Sequence, residues 1–418
     1  MTTVKLNSAF SWPPSAGKRR RACSCSVWGL VDPGATHPNP EVSAVFRDHG
    51  SRAASEAMTT KKRMNEIAFY GLAGVPQSPR ELIDEVRLGE SLGFGSVFIS
   101  ERFNIKEAAT LCGAAAAVSE DIGIATAATN DNTRHPMVTA AFAMTMHKMT
   151  GGRFSLGIGR GIAPIFDAFG IPKITTAEME DFAGLMRKIW SGEVVFGHDG
   201  AAGKYPLLAM GPDYASTIPM TLTAFAPQSL ALGGRAFDAV VLHTFFTEET
   251  TARCAAAVKR AAKEAGRDPS KVRVWSCFAT IGDHLSEPIR LKKTVGRMAT
   301  YLQGYGDLMV KTNRWDAAVL AKFREDEVVK SIPGAIDAVA TTEQLEHIAT
   351  LLPDSWLAPA ANGSPERCVE KILEQFELGC DGVILHGASP AELEPIVREY
   401  RNRRPDGRFD HLASNPAG

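Results

Sequence analysis

The chain has no Cys-x-x-Cys pair, and its seven cysteines (Cys23, Cys25, Cys112, Cys254, Cys277, Cys368 and Cys380) are odd in number and scattered. This argues against a disulfide framework and suits reduced thiols in a cytoplasm. Cys112 and Cys368 fall within helical patterns, where they read as small core hydrophobes and not as nucleophiles. None of the ten histidines stands in a His-Glu-x-x-His or comparable spacing, so no metal site is expected. No apolar run approaches the roughly 20 residues that a membrane helix needs. A net charge of −1 gives no reason to expect nucleic acid or an anionic membrane as a partner. What remains, at 418 residues with 44% hydrophobic and 22% charged content, is a soluble chain with enough core for one large α/β domain or two medium ones.

The N-terminal stretch lacks periodicity. "SWPPSAGKRRRACSCSVWGLVDPGATHPNP" is rich in Pro, Gly, Ser and Arg, a composition that buries too little apolar surface to offset ordering entropy. The apolar core after its basic run, "CSVWGLV", is too short for a signal peptide and runs into Asp32 and Pro33. Residues 1–63 are therefore expected to form a disordered extension, with a basic nucleic-acid-binding arm as the sharper alternative.

From about residue 65 the pattern turns regular. Strand-like runs occur at 66–72, 96–100, 122–129, 153–159, 218–224, 238–243, 272–280 and 381–386. Helical stretches lie between them. In "SPRELIDEVRLGESLG" (78–93), Leu82, Val86 and Leu92 share a face and Ser78-Pro79 supplies a start signal. "HPMVTAAFAMTMHKMTGG" (135–152) and "SPERCVEKILEQFELG" (364–379) both stop at glycine. Eight strands alternating with helices imply a parallel sheet, and eight is the number that closes a (β/α)8 TIM barrel. The long interval between the seventh and eighth strands, about 285–362, reads as a helical insertion over the barrel. Residues 196–208 read as a smaller loop insertion, the barrel domain as 64–405, and residues 406–418 as a flexible tail. The rival is a doubly wound open sheet, which lacks its glycine-rich turn here: "GLAGVPQSP" after the first strand has only Gly71 and Gly74.

The stretch "GGRFSLGIGRG" (151–161) places Gly157, Gly159 and Gly161 at the end of a strand. Close glycines there let a backbone approach a ligand. A dinucleotide fingerprint needs a third glycine where Ile162 stands, so the stretch is not a Rossmann motif.

Four segments in order, "GLAGVPQSPRELIDEVRLGESLGFGSVFISERF", "IGIATAATNDNTRHPMVTAAFAMTMHKMTGGRFSLGIGRG", "AFAPQSLALGGRAFDAVVLH" and "GSPERCVEKILEQFELGCDGVILHG", resemble the luciferase-like monooxygenase family. The texture of "SERF", "NDNTRHP" and "GIGRGI" is most similar to its F420-dependent branch. The resemblance implies a barrel whose C-terminal mouth holds coenzyme F420, with FMN as the alternative, and a homodimer. It implies cofactor contacts from Ser100 and from Thr126, Ala127, Ala128, Thr129 and Asn130, with a non-proline cis peptide behind the ring within Thr126–Ala128. It further implies contacts from Gly157, Gly159, Arg160 and Gly161, with Arg160 on the cofactor phosphate, and from Phe225, Ala226, Pro227 and Gln228 at a helix N-terminus.

Glu101 and Arg102 end the second strand, where relatives carry a pair similar to Asp-His. Both are candidate catalytic residues. Arg102 stays protonated, which suits stabilising negative charge and not proton abstraction. A glutamate that some relatives place after the glycine loop is replaced by Ile162 and Ala163, so the proton donor is unassigned. His135 reads as a capping or packing residue at the start of the third helix, with a catalytic proton donor as the alternative. His243 and His386, at the ends of the sixth and eighth strands, are candidate substrate contacts. The expected function is hydride transfer between the deazaflavin and a small organic substrate. The alternatives are an FMN-dependent monooxygenase fed by a separate reductase and a catalytically silent cofactor-binding protein. A Schiff-base aldolase would need a lysine at a strand end, and the strand ends offer none.

Overall fold

The computed structural model describes residues 63–418, apart from Val75 and Asn104; except for Arg63, the expected N-terminal extension lies outside the described residues. Eleven strands are present among the described residues: β1 (Met64–Tyr70), β2 (Phe94–Ile99), β3 (Gly123–Thr126), β4 (Phe154–Ile158), β5 (Val195–Gly200), β6 (Gly203–Leu208), β7 (Met220–Thr223), β8 (Ala239–Val241), β9 (Arg273–Gly282), β10 (Ala361–Gly363) and β11 (Gly382–His386). Parallel pairing runs β1-β2-β3-β4-β7-β8-β9-β11 and returns to β1, closing the eight-stranded barrel that the sequence pattern implies. All eight strand-like runs contain a barrel strand.

Alternation along each strand divides the side chains between two cores. Ile67, Phe69, Val97 and Ile99 face the surrounding helices. Ala68, Tyr70, Phe98, Ala125, Ala127, Val241, Trp275, Cys277 and Ile384 fill the lumen. Gly382 is small because the Trp275 indole occupies the place of a side chain, 2.4 Å from where its Cβ would sit.

Residues 406–418, expected as a flexible tail, are packed against the barrel. Phe409, Asn415 and Ala417 are buried, and the segment closes the N-terminal end of the barrel. Trp275 Nε1 donates to the Pro416 carbonyl (2.8 Å), and Asn415 Nδ2 donates to the carbonyls of Gly152 (2.7 Å) and Phe154 (2.9 Å). A buried indole N–H needs an acceptor, and the chain end supplies one from a distance in sequence that local patterns do not register.

Helix Pro136–Met149 begins with proline at its first position and stops before Gly151 and Gly152. Helix Pro365–Glu377 is capped by Ser364 and followed by left-handed Gly379. The helix after β1 starts at Glu81, later than Ser78-Pro79 suggested, because those residues form a preceding turn in which Glu81 accepts the Ser78 N–H at 2.8 Å. Residues 196–208 form the antiparallel hairpin β5–β6 in place of a loop.

The insertion is helical as expected. Its principal helix, Arg297–Asn313, follows a π-helical turn at Lys292–Gly296. Met298, Leu302, Met309, Phe323 and Trp356 build a core of its own, which reaches the barrel through Phe245, Ala279 and Ile281.

Candidate active site at the barrel mouth

Parallel strands deliver the ends of β1, β2, β3, β4, β7, β8, β9 and β11 to one rim, so residues far apart in sequence meet there. At the end of β2 the Glu101 side chain is 2% exposed. Its carboxylate accepts the Thr129 hydroxyl (3.0 Å), Arg134 Nη2 (3.1 Å) and the Ala108 N–H (3.1 Å). Both oxygens are thus committed to neighbouring protein, binding the β3 end to the helix after β2. Arg102 Nη1 donates to the Gly74 carbonyl at 2.8 Å. Burial, followed by repulsion from Arg297, lowers the guanidinium from its usual range.

Lys106 joins Arg102 in holding the loop after β1. Its Nζ donates to the carbonyls of Gly71 (2.7 Å) and Leu72 (3.3 Å). Glu85 accepts the Leu72 N–H from the other side at 2.7 Å, and this clamp holds Leu72 at a left-handed φ of 56°. Burial, with Arg102 acting in the same direction, brings Lys106 down to about 7. Burial raises Glu85 to about 7 against its bond to Leu72.

The peptide Ala127–Ala128 is cis, inside the segment where the resemblance implies such a bond. The alanines leave a shelf without bulk, and Tyr70 Oη donates to the Ala127 carbonyl at 2.9 Å. The polar groups around the shelf are spent within the protein. Thr126 Oγ1 donates to the Gly157 carbonyl (2.7 Å), Thr129 to Glu101, and Asn130 Nδ2 to the Gly159 carbonyl (2.7 Å). Ser100 is partly exposed beside them.

The glycines of the β4 loop make room chiefly for protein. A Cβ on Gly157 would lie 1.7 Å from the Thr126 carbonyl oxygen, and one on Gly159 would lie 2.2 Å from Thr223 Oγ1. Close barrel packing explains both residues, which corrects the expectation that their missing side chains clear a path for the cofactor. Gly161 has φ 69°, and the Phe166 ring fills its Cβ position. Phe103 stacks on Phe166 (6.0 Å) and joins the β2 loop to this segment. Arg160 is exposed and bonds to the Ile174 carbonyl (3.4 Å) and to Thr176 Oγ1.

On the far side, Phe225 and Ala226 precede helix Pro227–Ala236, whose first residues Pro227 and Gln228 are exposed. Ser229 Oγ accepts the Ala226 N–H at 3.1 Å. The Phe225 ring lies 4.5 Å from that of His243. His243 Nδ1 meets the Thr244 carbonyl (2.8 Å) and Nε2 meets Tyr305 Oη (2.8 Å). A carbonyl only accepts, so Nδ1 carries the proton and Nε2 accepts the tyrosine hydroxyl. Burial pulls this histidine down to about 4, outweighing the bond to Thr244. Tyr301 and Tyr305 stack at 5.6 Å on the insertion helix, whose backbone leaves helical geometry at Tyr305 (φ −158°).

His386 ends β11 edge-on to Tyr70 (5.2 Å), and its Nδ1 is buried without a partner. Burial, then the charge of Arg297 and the other nearby basic side chains, pushes it well below its usual range. Arg297 pairs with Asp337 at 2.9 Å and faces the Tyr301 ring. His135 caps its helix through the Met137 N–H (3.2 Å).

The structure therefore brings Arg102, His243, His386, Phe225 and the β3 shelf to one mouth, while Arg160 stands at its exposed edge. Sequence reasoning missed Tyr70, Lys106, Arg297, Tyr301 and Tyr305. Tyr70 was available as a polar-tipped aromatic ending a strand, and Tyr301 and Tyr305 as a same-face pair four residues apart. Lys106 and Arg297 carried no local signal. Among the described residues no group of His, Cys, Asp and Glu is placed to hold a metal ion. None of the described helices is long and apolar enough to cross a membrane.

A closed parallel barrel with its polar groups gathered at the C-terminal rim is an enzyme architecture. Residues 58–382 match the luciferase-like monooxygenase family, and the chain belongs to it. It is an oxidoreductase, the class to which its named relatives belong. It is 26% identical over 325 residues to 5,10-methylenetetrahydromethanopterin reductase of Methanolobus tindarius, covering 75% of this chain and 93% of that protein. It is 25% identical over 325 residues to the F420-dependent glucose-6-phosphate dehydrogenase of Beutenbergia cavernae, covering 74% and 88%. The fold is similar to the coenzyme F420 dependent tetrahydromethanopterin reductase from Methanopyrus kandleri, with a TM-score of 0.67 and 18% identity over 81% of this chain and 99% of that one.

Proposed function

We propose that this protein is an F420-dependent oxidoreductase that exchanges a hydride between the deazaflavin and a small organic substrate. The observation that carries the reading is the mouth itself: an alanine shelf at Ala127–Ala128, ringed by Tyr70, His243, Tyr301 and Tyr305, with the orphaned Nδ1 of His386 beside it. This donor set fits a flat polar ring. The relatives named for F420 support the choice of cofactor. Bound there, the deazaflavin would supply two-electron hydride chemistry.

The chain's own residues do the rest. Ser100 and the β3 shelf hold the ring, Arg160 and the Phe225–Gln228 turn hold its phosphate, and Arg102 opposes negative charge that develops at the rim. His386, neutral and without a protein partner at Nδ1, hydrogen-bonds the reacting molecule. The insertion closes the mouth and excludes water. Glu101 acts as a positioning residue that fixes Thr129 and Arg134. All five described cysteines are free and buried, in keeping with a reducing cytoplasm; the reading includes a homodimer.

Titrating the purified apo-protein with F420 and with FMN tests the assignment. Micromolar F420 binding is expected. Micromolar FMN binding with no F420 binding would replace the reading with the monooxygenase.

A further inference from the structure

Three basic side chains converge on the mouth with too few carboxylates among them. Arg102 bonds to the Gly74 carbonyl, Lys106 bonds to the carbonyls of Gly71 and Leu72, and among the described residues neither forms an ion pair. Arg297 enters from the insertion with Asp337 on one edge. The Arg102 N–H donates to the Lys106 carbonyl at 3.0 Å, and Arg297 faces Tyr301 just after the turn whose Lys293 donates to the Gly387 carbonyl at 2.8 Å, next to His386. Arg297 accordingly acts on Arg102 and both act on Lys106. The carboxyl facing Lys106 from helix Glu81–Leu92 is Glu85, which is committed to the Leu72 N–H. Lys293 is already paired with Glu392 at 3.0 Å.

Cations held out of water without counter-charge are unfavourable, and an arriving anion relieves that cost. A second feature points to a ligand at the same place: among the described residues the buried Nδ1 of His386 lacks a partner, and burial, then the nearby cations, push the ring well below its usual range.

Building on the oxidoreductase reading, we infer that the substrate is an anion, a carboxylate- or phosphate-bearing molecule whose oxyanion lies among Arg102, Lys106 and Arg297 with His386 beside it. Planar guanidinium groups match both oxyanions, and the lysine adds a point charge. The insertion then sets specificity, because Arg297 comes from it while Arg102 and Lys106 come from the barrel. An anionic part of the cofactor could supply the same chemistry, and the test separates the two sources.

The experiment is calorimetry on the full chain with pyrophosphate and succinate, against chloride at matched ionic strength, with and without saturating F420. Binding is expected for at least one of the two anions, both in the absence and in the presence of F420. Arg297→Gln should weaken it at least tenfold and Arg297→Lys less. Lys106 is faced by Arg102 on its own loop, Glu85 from the neighbouring helix, Arg297 from the insertion and His386 from β11. An oxyanion raises its proton affinity, so binding at pH 8 should take up a proton in the wild type and none in Lys106→Met. The lysine uptake is read on the wild type as well, so it survives a variant that folds poorly. Absent oxyanion binding, or binding indifferent to Arg297→Gln and without proton uptake, overturns the inference. So does complete displacement of the oxyanion by F420, which would give the site to the cofactor. Failure of F420 to bind while the oxyanion still does would overturn the F420-dependent reading and leave the anion site standing.

Discussion

Glu101→Gln keeps the size of the side chain and removes its charge, which separates a positioning role from a proton-transferring one. The carboxylate accepts bonds from Thr129, Arg134 and Ala108 at 3.0–3.1 Å while 2% exposed. A glutamine offers one acceptor oxygen and turns an N–H2 toward groups that themselves donate. Breaking one side of a buried ion pair costs about 3–5 kcal/mol. Arg134 is 19% exposed and keeps Glu107 as a partner, so a loss of about 2–3 kcal/mol is expected. Urea denaturation followed by circular dichroism measures it. A double-mutant cycle with Arg134→Met should return a coupling of about 1–2 kcal/mol. If Glu101 instead moved the proton, turnover would fall by about 100-fold or more with stability changed by less than about 0.5 kcal/mol. That pairing of results would refute the positioning role.

Two further outcomes follow from burial and packing. His243 titrates near 4 in the fold against 6.5 when free, so between those values the unfolded chain binds the extra proton. Stability is then complete above about pH 6.5 and falls as the pH drops toward 4. From pH 7 to 5 His243 contributes a loss of about 2 kcal/mol, and His243→Gln should flatten the measured pH slope by that amount; an unchanged slope would contradict the burial argument. Gly157→Ala drives a Cβ into the Thr126 carbonyl and should destabilise by about 3 kcal/mol or more. Gly113→Ala, in helix Ala108–Ala117 with nothing within 4 Å of the new methyl, should stabilise by about 0.5–1 kcal/mol. Thermal denaturation of the pair must give opposite signs.

The barrel was legible because period-two apolar runs separated by amphipathic helices are local signals, and eight of them have few ways to close. The insertion was legible for the same reason: its helices carry their own apolar faces. Strand ends such as Arg102, His243 and His386 could be placed at a rim from topology alone, since parallel strands present their C-termini together. The bonds that decide their roles are not local. Glu101 looks like half of a catalytic pair until Arg134, 33 residues away, and the Ala108 N–H take its oxygens. Gly157 looks like a ligand-binding glycine until the neighbouring strand's carbonyl is seen to occupy its side-chain space. The chain end looks disordered until Trp275 needs an acceptor for its N–H. By itself the sequence determined the barrel strands, the helices between them and the family, through periodicity and short motifs that each depend on a few adjacent residues. Only the tertiary structure decided which polar groups are spent on one another and which remain for a ligand. Hydrogen bonds and buried charges are allotted in space, and Lys106 and Arg297 become neighbours only when the insertion settles over the barrel.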